Sequence, residues 1–298
     1  MENQTKAYLY AGATVLLWST VASAFKLTLD HLSFTEMLLG ASIVSMTALF
    51  LILLAQGKLS VIGTYSGAQI AYSAALGFLN PFLYYVILFK AYSLLPAQEA
   101  QPLNWTWPIM LVLLSFAILK QPIRWVNVLA IVISFSGVLT ISTRGDVLGF
   151  RFTNLPGALL ALSSSIIWAL VWIYNVKDRR DEIVKLFLNF IFGSIFTLAA
   201  VLLFSEIRVP PAAGILGVVW VGLFEMGITF VTWIKALQLS RTTAQVSNLV
   251  YAAPFLSLFF IHYIVGEEIL PSTIAGLVLI VAGIIVQQYA SRAKENDR

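Results

Sequence analysis

Cysteine is absent from the 298 residues of this chain, histidine occurs only at His31 and His262, and only 11% of the residues are charged. The absence of cysteine excludes a disulfide framework and thiolate metal sites. The two histidines belong to different segments, and the sequence contains no Gly-rich phosphate loop and no Ser-His-Asp grouping. The sequence therefore predicts neither a metal nor another cofactor, and it argues against an enzyme.

The sequence is rich in apolar residues. Hydrophobic side chains make up 59% of the chain, and its mean hydropathy is +0.89, whereas a soluble domain carries about 25% charged residues. So much apolar surface cannot be hidden in one water-soluble core, so a lipid bilayer is the expected solvent. The formal charge of +4 is explained by loop topology and does not indicate binding to nucleic acid.

Apolar runs long enough to cross a bilayer, which takes roughly 20 helical residues, occur ten times in the sequence. Their approximate bounds are 8–26, 34–56, 68–89, 97–119, 126–143, 155–176, 184–205, 214–237, 243–265 and 270–290. Of the 18 lysines and arginines, thirteen fall on the side that holds both termini and five on the other. The positive-inside rule therefore places both termini in the cytoplasm of a multi-pass protein, which we expect in the cell (inner) membrane.

Similar residues recur in the same order in the two halves of the chain. Gly77, Lys90-Ala91, Pro108 and Gly137 are followed 145 or 146 residues later by Gly222, Lys235-Ala236, Pro254 and Gly283. This order predicts two all-α repeats of five helices each, residues 1–145 and 146–298. An odd number of spans inverts the second repeat relative to the first, and inverted repeats suit alternating access, so the pattern indicates a transporter.

Polar and aromatic residues inside the spans mark helix faces that look toward protein or a cavity and not toward lipid. The candidate substrate-binding residues are Trp18, Asn80, Tyr84, Gln101, Asn104, Trp168, Trp233, Asn248 and Tyr251. For any single amide, a hydrogen bond that only ties two helices together, worth about 0.6–2 kcal/mol, explains the residue equally well.

Glu225 lies near the middle of the span 214–237, where an ionised carboxylate is costly. It is therefore the candidate for proton coupling. The alternative is a neutral structural carboxyl that is hydrogen-bonded to a neighbour such as Asn80. Lys90 and Lys235 lie near span ends, from which their side chains can reach the interface.

Small residues in the fifth and tenth spans leave two uses open. Ser134, Gly137, Gly276 and Gly283 allow helices to approach closely, either within the chain or across a homodimer interface.

Several short motifs are shared with one known group of proteins. They are Leu17-Trp18-Ser19, Tyr84 with Lys90-Ala91-Tyr92, Asn104-Trp105-Thr106-Trp107-Pro108, Trp233 with Lys235-Ala236, Pro254, and Gly266-Glu267-Glu268. By these motifs the chain resembles the ten-helix branch of the drug/metabolite transporter superfamily, whose repeats are called EamA domains, over essentially its whole length. Within it, the chain is most similar to bacterial exporters of amino acids and related metabolites, including aromatic ones. The resemblance implies a central substrate cavity lined by helices of both halves.

These observations predict a secondary transporter that exports a small metabolite, an amino acid above all, with the lipid bilayer as a further partner. Glu225 is the candidate for coupling transport to protons, and uniport without protons is equally consistent with the sequence. Export of organic cations or drugs is the alternative, since a membrane carboxylate and many aromatic rings suffice for it. A non-transporting receptor or scaffold is a third interpretation, and the internal repeat argues against it.

Overall fold

The computed structural model describes residues 2–119, 125–149, 152–204, 210–240 and 248–296, and in these ranges the chain is helical and contains no strand. Seven helices are long and apolar enough to cross a membrane: Asn3–Leu29, Phe34–Ala55, Gly67–Leu94, Trp125–Ser142, Leu155–Asn175, Glu182–Phe204 and Ala212–Leu239. Two further apolar helices, Leu249–Val265 and Pro271–Gln287, are shorter. An all-helical membrane protein is thus confirmed for the described residues, while ten crossings and cytoplasmic termini stay predictions.

The helices are numbered here in chain order. They are α1 (Glu2–Leu29), α2 (Phe34–Ala55), α3 (Leu59–Ile62), α4 (Gly67–Gly77), α5 (Tyr84–Leu94), α6 (Ala97–Asn104), α7 (Trp107–Leu119), α8 (Trp125–Ser142), α9 (Leu155–Lys177), α10 (Glu182–Phe204), α11 (Ala212–Val221), α12 (Ile228–Leu239), α13 (Ala253–Phe260) and α14 (Pro271–Asn296). Wider, π-helical turns occupy Phe78–Leu83, Gly222–Gly227 and Ile261–Val265, and a 3₁₀ turn occupies Asn248–Ala252. The predicted span 97–119 is therefore two helices, because the chain turns at Trp105 and Thr106.

Two compact units divide the chain. Unit 1 consists of Met1–Phe89 and Asp178–Val265, and unit 2 consists of Lys90–Lys177 and Gly266–Arg298. Each unit thus combines helices from both predicted repeats. The repeat boundaries stay a prediction, since sequence repetition and compactness are different properties.

The loop between α9 and α10 fastens α4 within unit 1. Arg180 donates from Nε and Nη2 to the two carboxylate oxygens of Asp178, at 2.9 and 2.6 Å, and from Nη1 to Gln69 O and Ser73 Oγ, both at 2.8 Å. The side chains of Arg180 and Asp178 are only 6% and 5% exposed, and the guanidinium carbon lies 5.2 Å from the centre of the Tyr65 ring. We call these five residues the Arg180 clasp. All three guanidinium nitrogens of Arg180 donate hydrogen bonds, which the single ammonium group of a lysine could not reproduce.

Two opposing effects act on Asp178, which lies outside the membrane-spanning helices. Burial raises its pKa, but the hydrogen bonds and the charge of Arg180 outweigh burial, so the pKa is lowered. A carboxyl group with a lowered pKa stabilises the folded state above its unfolded pKa of about 3.9. That contribution is lost as the pH falls through the folded pKa.

In unit 2, α8 and α14 pack closely because both present glycine at the contact. A Cβ added to Gly137 would collide with the Gly276 carbonyl oxygen, and one added to Gly283 would lie 2.6 Å from the Ala130 carbonyl oxygen. Ser134 donates its hydroxyl to the Ile280 carbonyl at 3.2 Å across the same contact. Of the two uses that the sequence leaves open for these small residues, they serve close packing within the chain.

The acidic motif Gly266-Glu267-Glu268 caps another helix of unit 2. The carboxylate of Glu267 accepts hydrogen bonds from the backbone N–H groups of Ala97 and Gln98, at 2.8 and 3.1 Å, at the start of α6. Negative charge and free N–H groups meet favourably at a helix N-terminus. The motif thus fixes α6 to the segment that precedes α14.

Gly137→Ala is expected to lower the stability of the protein, because the added methyl group overpacks the contact with α14, at a cost of about 1–3 kcal/mol. Gly12→Ala is the matched control, since a Cβ at Gly12 meets nothing within 4 Å and alanine favours helix. Thermal unfolding in detergent measures both variants. Equal melting temperatures for the two would contradict the close contact.

Asp178→Asn is expected to destabilise the protein at pH 7 by about 3–5 kcal/mol, because it leaves Arg180 buried without its counter-ion. The difference from the parent protein should shrink as the pH falls from the ordinary carboxyl pKa of about 3.9 through the lowered folded pKa of Asp178, because protonation removes the charge that pairs with Arg180. Lys58→Gln is the control. It breaks the more exposed Lys58–Asp181 pair, whose side chains are 37% and 28% exposed, and should cost at most about 1 kcal/mol. Melting temperatures between pH 7 and pH 3 test both expectations.

Candidate functional site

Glu225 lies in the π-helical turn Gly222–Gly227 of unit 1, between α11 and α12. Its Oε1 accepts a hydrogen bond from the hydroxyl of Tyr85 at 3.1 Å, and Tyr85 is fully buried on α5. Glu225 itself is only partly buried. The carboxylate thus has a protein hydrogen-bond donor on one of its oxygens.

Side chains satisfy the backbone where this turn departs from α-helical geometry. Ser45 donates its hydroxyl to the Gly222 carbonyl at 2.7 Å, and the Thr229 hydroxyl donates to the Phe224 carbonyl. Trp18 Nε1 lies 3.4 Å from the Glu225 carbonyl oxygen and donates to it. The position of Glu225 is therefore fixed by α1 and α2, which supply two of these three donors.

Aromatic rings of α1 and α12 adjoin the turn. The rings of Trp18 and Trp233 lie 5.6 Å apart, centroid to centroid, and the Phe230 ring lies 6.1 Å from Trp18. The hydroxyls of Thr14 and Thr232 are hydrogen-bonded at 2.8 Å, which holds the two helices together next to the rings. Trp18 and Trp233, two predicted site residues, thus form an aromatic wall beside the segment that carries Glu225.

Asn80 lies in another π-helical turn of unit 1, Phe78–Leu83, where its backbone is extended (φ −149°, ψ 120°). The residue is 6% exposed, and its Oδ1 has no hydrogen-bond partner among the described residues. The bond between Asn80 and Glu225 that the sequence suggested is not among the hydrogen bonds of the described residues, and Tyr85 is the partner. Asn80 is therefore a buried acceptor that remains available.

Tyr85 was missed by the sequence analysis, which selected Tyr84. A regular helix advances 100° per residue, which places Tyr84 on the same face as Asn80. The extended residue and the π-helical turn before α5 shift that phase, so the next residue is the one that reaches Glu225. Tyr84 is also buried and packs its ring 4.6 Å from that of Tyr85. Pro81 in the middle of the span was the only signal of this irregularity.

Three further predicted site residues, Gln101, Asn104 and Trp168, belong to unit 2. Gln101 is 5% exposed and its Oε1 has no partner within the described part of the chain. Asn104 Nδ2 donates to Ser164 Oγ at 2.8 Å, which ties α6 to α9. Trp168 packs edge-on against Trp172 at 6.4 Å, and Trp172 stacks on Trp107 at 6.0 Å.

The two remaining predicted residues lie at the start of the segment that leads into α13. Tyr251 belongs to the 3₁₀ turn Asn248–Ala252 of unit 1 and is half-buried. The side chain of Asn248 lies outside the described part of the structure.

The chemistry available in unit 1 is that of an acceptor site with an aromatic wall. Carboxylate and amide oxygens accept hydrogen bonds from ammonium groups, and indole rings stack on planar or apolar groups and attract cations. In the described ranges, no group of three or more His, Asp or Glu side chains could hold a metal ion. These groups supply acceptors for an amine and an aromatic surface in the same unit of the chain.

Comparison with known proteins defines the class. The EamA-like transporter family matches residues 5–143 and again residues 155–287. Two matches of similar length cover most of the chain, so this protein belongs to the EamA-like transporter family.

Individual relatives are distant. The chain is 26% identical to an uncharacterized transporter of Clostridium kluyveri over 246 residues, which are 78% of this chain and 76% of that protein. It is 28% identical to the aromatic amino acid exporter YddG of Ancylobacter novellus over 183 residues, which are 59% of this chain and 61% of the exporter. A solved crystal structure matches with a TM-score of 0.65 and 25% identity, over 98% of this chain and 99% of that one.

Tyr85→Phe is expected to lower thermal stability by about 0.6–2 kcal/mol, because it removes the hydroxyl that binds Glu225 inside the helix bundle. A double-mutant cycle with Glu225→Gln isolates the interaction. Once Tyr85 is phenylalanine, the second substitution should cost less than it does alone. Tyr10→Phe, at a residue 38% exposed, is the control and should add nothing. Strict additivity of Tyr85→Phe and Glu225→Gln would contradict the hydrogen bond.

Proposed function

We propose that this chain is a secondary transporter of the inner membrane that exports amino acids, aromatic ones among them, from the cytoplasm by alternating access. The observation that carries the proposal is the carboxylate of Glu225 inside a helical span, hydrogen-bonded to Tyr85 on a turn that adjoins the Trp18–Trp233 wall. Membership in a transporter family supports transport. The similarity to an aromatic amino acid exporter supports the substrate class.

The acceptors of unit 1 suit the ammonium group of an aromatic amino acid, and the indole rings suit its side chain. An ammonium group has three donors and pairs well with a carboxylate. The available Oδ1 of Asn80 is a second acceptor of the same kind in unit 1. The indole rings of Trp18 and Trp233 offer faces on which an aromatic side chain stacks in an edge or offset arrangement.

Proton coupling is part of the proposal. A proton and an ammonium group compete for a single carboxylate, because protonation removes the negative charge that attracts the amine. If Glu225 releases the amino acid when it takes up a proton on the far side of the membrane, proton entry drives export. Such a carboxylate in a transmembrane segment is by default a functional candidate.

Export of organic cations is the second candidate function, and the same wall favours it, since indole rings attract quaternary and protonated amines. The two functions differ in what Glu225 must do. A cation without its own carboxylate depends on Glu225 for its charge partner, whereas a zwitterion carries its own negative group.

Counterflow into proteoliposomes loaded with a mixed amino-acid pool tests the proposal. We expect labelled aromatic amino acid to exchange, and an imposed pH gradient to accelerate its movement several-fold. In Glu225→Gln, the gradient should no longer accelerate transport, because the variant cannot take up a proton at this position. Glu182→Gln is the control, since the side chain of Glu182 is 50% exposed, and it should keep the gradient response.

Exchange of tetraphenylphosphonium or another organic cation, with none of amino acids, would replace the proposal by the second candidate. The same outcome should then show complete loss of transport in Glu225→Gln. Failure of folded protein to move either class would refute both functions.

A further inference from the structure

A cavity of about 410 Å³ opens at one end of unit 1, on the face that the basic residues predict to be cytoplasmic. Its wall is formed by the end of α2, by the loop that leads from α9 into α10, and by one face of α12. The volume falls within the range of about 300–1,000 Å³ that is typical of small-molecule sites. None of the residues that line it belongs to the Glu225 site.

The charges around this cavity do not cancel. Each acidic residue of the loop is already paired: Asp178 with Arg180, Asp181 with Lys58 at 2.7 Å, and Glu182 with Lys185 at 2.8 Å. Two cations of the wall remain, Arg179 and Lys235, and neither has an ion-pair partner among the described residues. Five cations against three acids leave a net charge of +2 beside one concave surface.

Lys235 reaches this cavity from within a helix. It shares one face of α12 with Val231, Ile234 and Gln238, which all line the same wall. Ile234, Lys235 and Gln238 follow Val231 by three, four and seven residues, a spacing that places their side chains on the same side of the helix. The cavity thus offers a single ligand two cations that have no ion-pair partner in the described part of the chain, together with an amide and apolar side chains.

We propose that this cavity binds a small organic anion, whose carboxylate or phosphate group is held by Arg179 and Lys235 and whose apolar part lies on Val231 and Ile234. Charge-assisted hydrogen bonds from guanidinium and ammonium groups are the strong contacts that such anions make. The anion can be a soluble metabolite or the headgroup of an acidic lipid, since both present the same chemistry. The proposal does not depend on what Glu225 binds or on transport.

Binding to purified protein in detergent tests the site without any transport assay. Inorganic phosphate and phenylacetate are titrated by calorimetry into the parent protein and into Arg179→Gln and Lys235→Gln. Each variant should weaken binding by about tenfold, which corresponds to the loss of about 1.4 kcal/mol. Lys177→Gln is the matched control, because Lys177 is an exposed cation of the same loop region that does not line the cavity, and it should bind as the parent does.

Nanodiscs separate the two sources of the anion. If an acidic lipid fills the cavity, phosphatidylglycerol should weaken phosphate binding relative to phosphatidylcholine, and native mass spectrometry should find less retained lipid in Lys235→Gln than in Lys177→Gln. If a soluble anion fills it, the lipid should make no difference and the variants should still bind weakly. Equal affinities in all three variants, or no binding of either probe by folded parent protein, would overturn the proposal.

Discussion

The structure depends first on the rule that every backbone polar group in hydrocarbon must find a partner inside the protein. A regular helix obeys the rule by itself, but the turns Phe78–Leu83 and Gly222–Gly227 do not. Around the second turn, hydroxyls of Ser45 and Thr229 and the indole N–H of Trp18 bind three carbonyl oxygens. A helix interrupted in this way must be surrounded by polar side chains. Glu225 lies on this turn, and its carboxylate accepts a further hydrogen bond from the hydroxyl of Tyr85.

The same residue types serve two different purposes, and their hydrogen bonds tell them apart. Asn104 donates to Ser164 and joins two helices, so at least one of its donors is used for structure. The acceptors of Asn80 and Gln101 are equally buried, yet they have no partner among the described residues. Burying an unsatisfied polar group costs free energy. Asn80 and Gln101 are therefore the candidates for contact with a donor-rich ligand, whereas Asn104 has a structural partner.

Much of this arrangement can be read from the sequence, and the reasons for the rest are physical. Apolar length predicts the helices, because the bilayer sets their length, and depth within a span singles out Glu225. Tyr85 is not predictable by helical periodicity, because an irregular turn precedes it and shifts the phase. The Arg180 clasp is not predictable either, because its partners Gln69 and Ser73 come from a helix more than a hundred residues away. Small residues at 137 and 276 predict a close contact, but only the fold identifies which helices make it.

Each compact unit is assembled from distant parts of the chain, and this affects how the protein is made. Unit 1 needs Met1–Phe89 together with Asp178–Val265. When α1, α2 and α5 first enter the membrane, the residues that Thr14, Ser45 and Tyr85 bind have not been synthesised. These helices must therefore wait in lipid as separate stable elements and associate later, as in a two-stage view of membrane folding. The early helices carry polar groups whose partners are still missing. We expect the insertion machinery to shield these helices until the chain is complete.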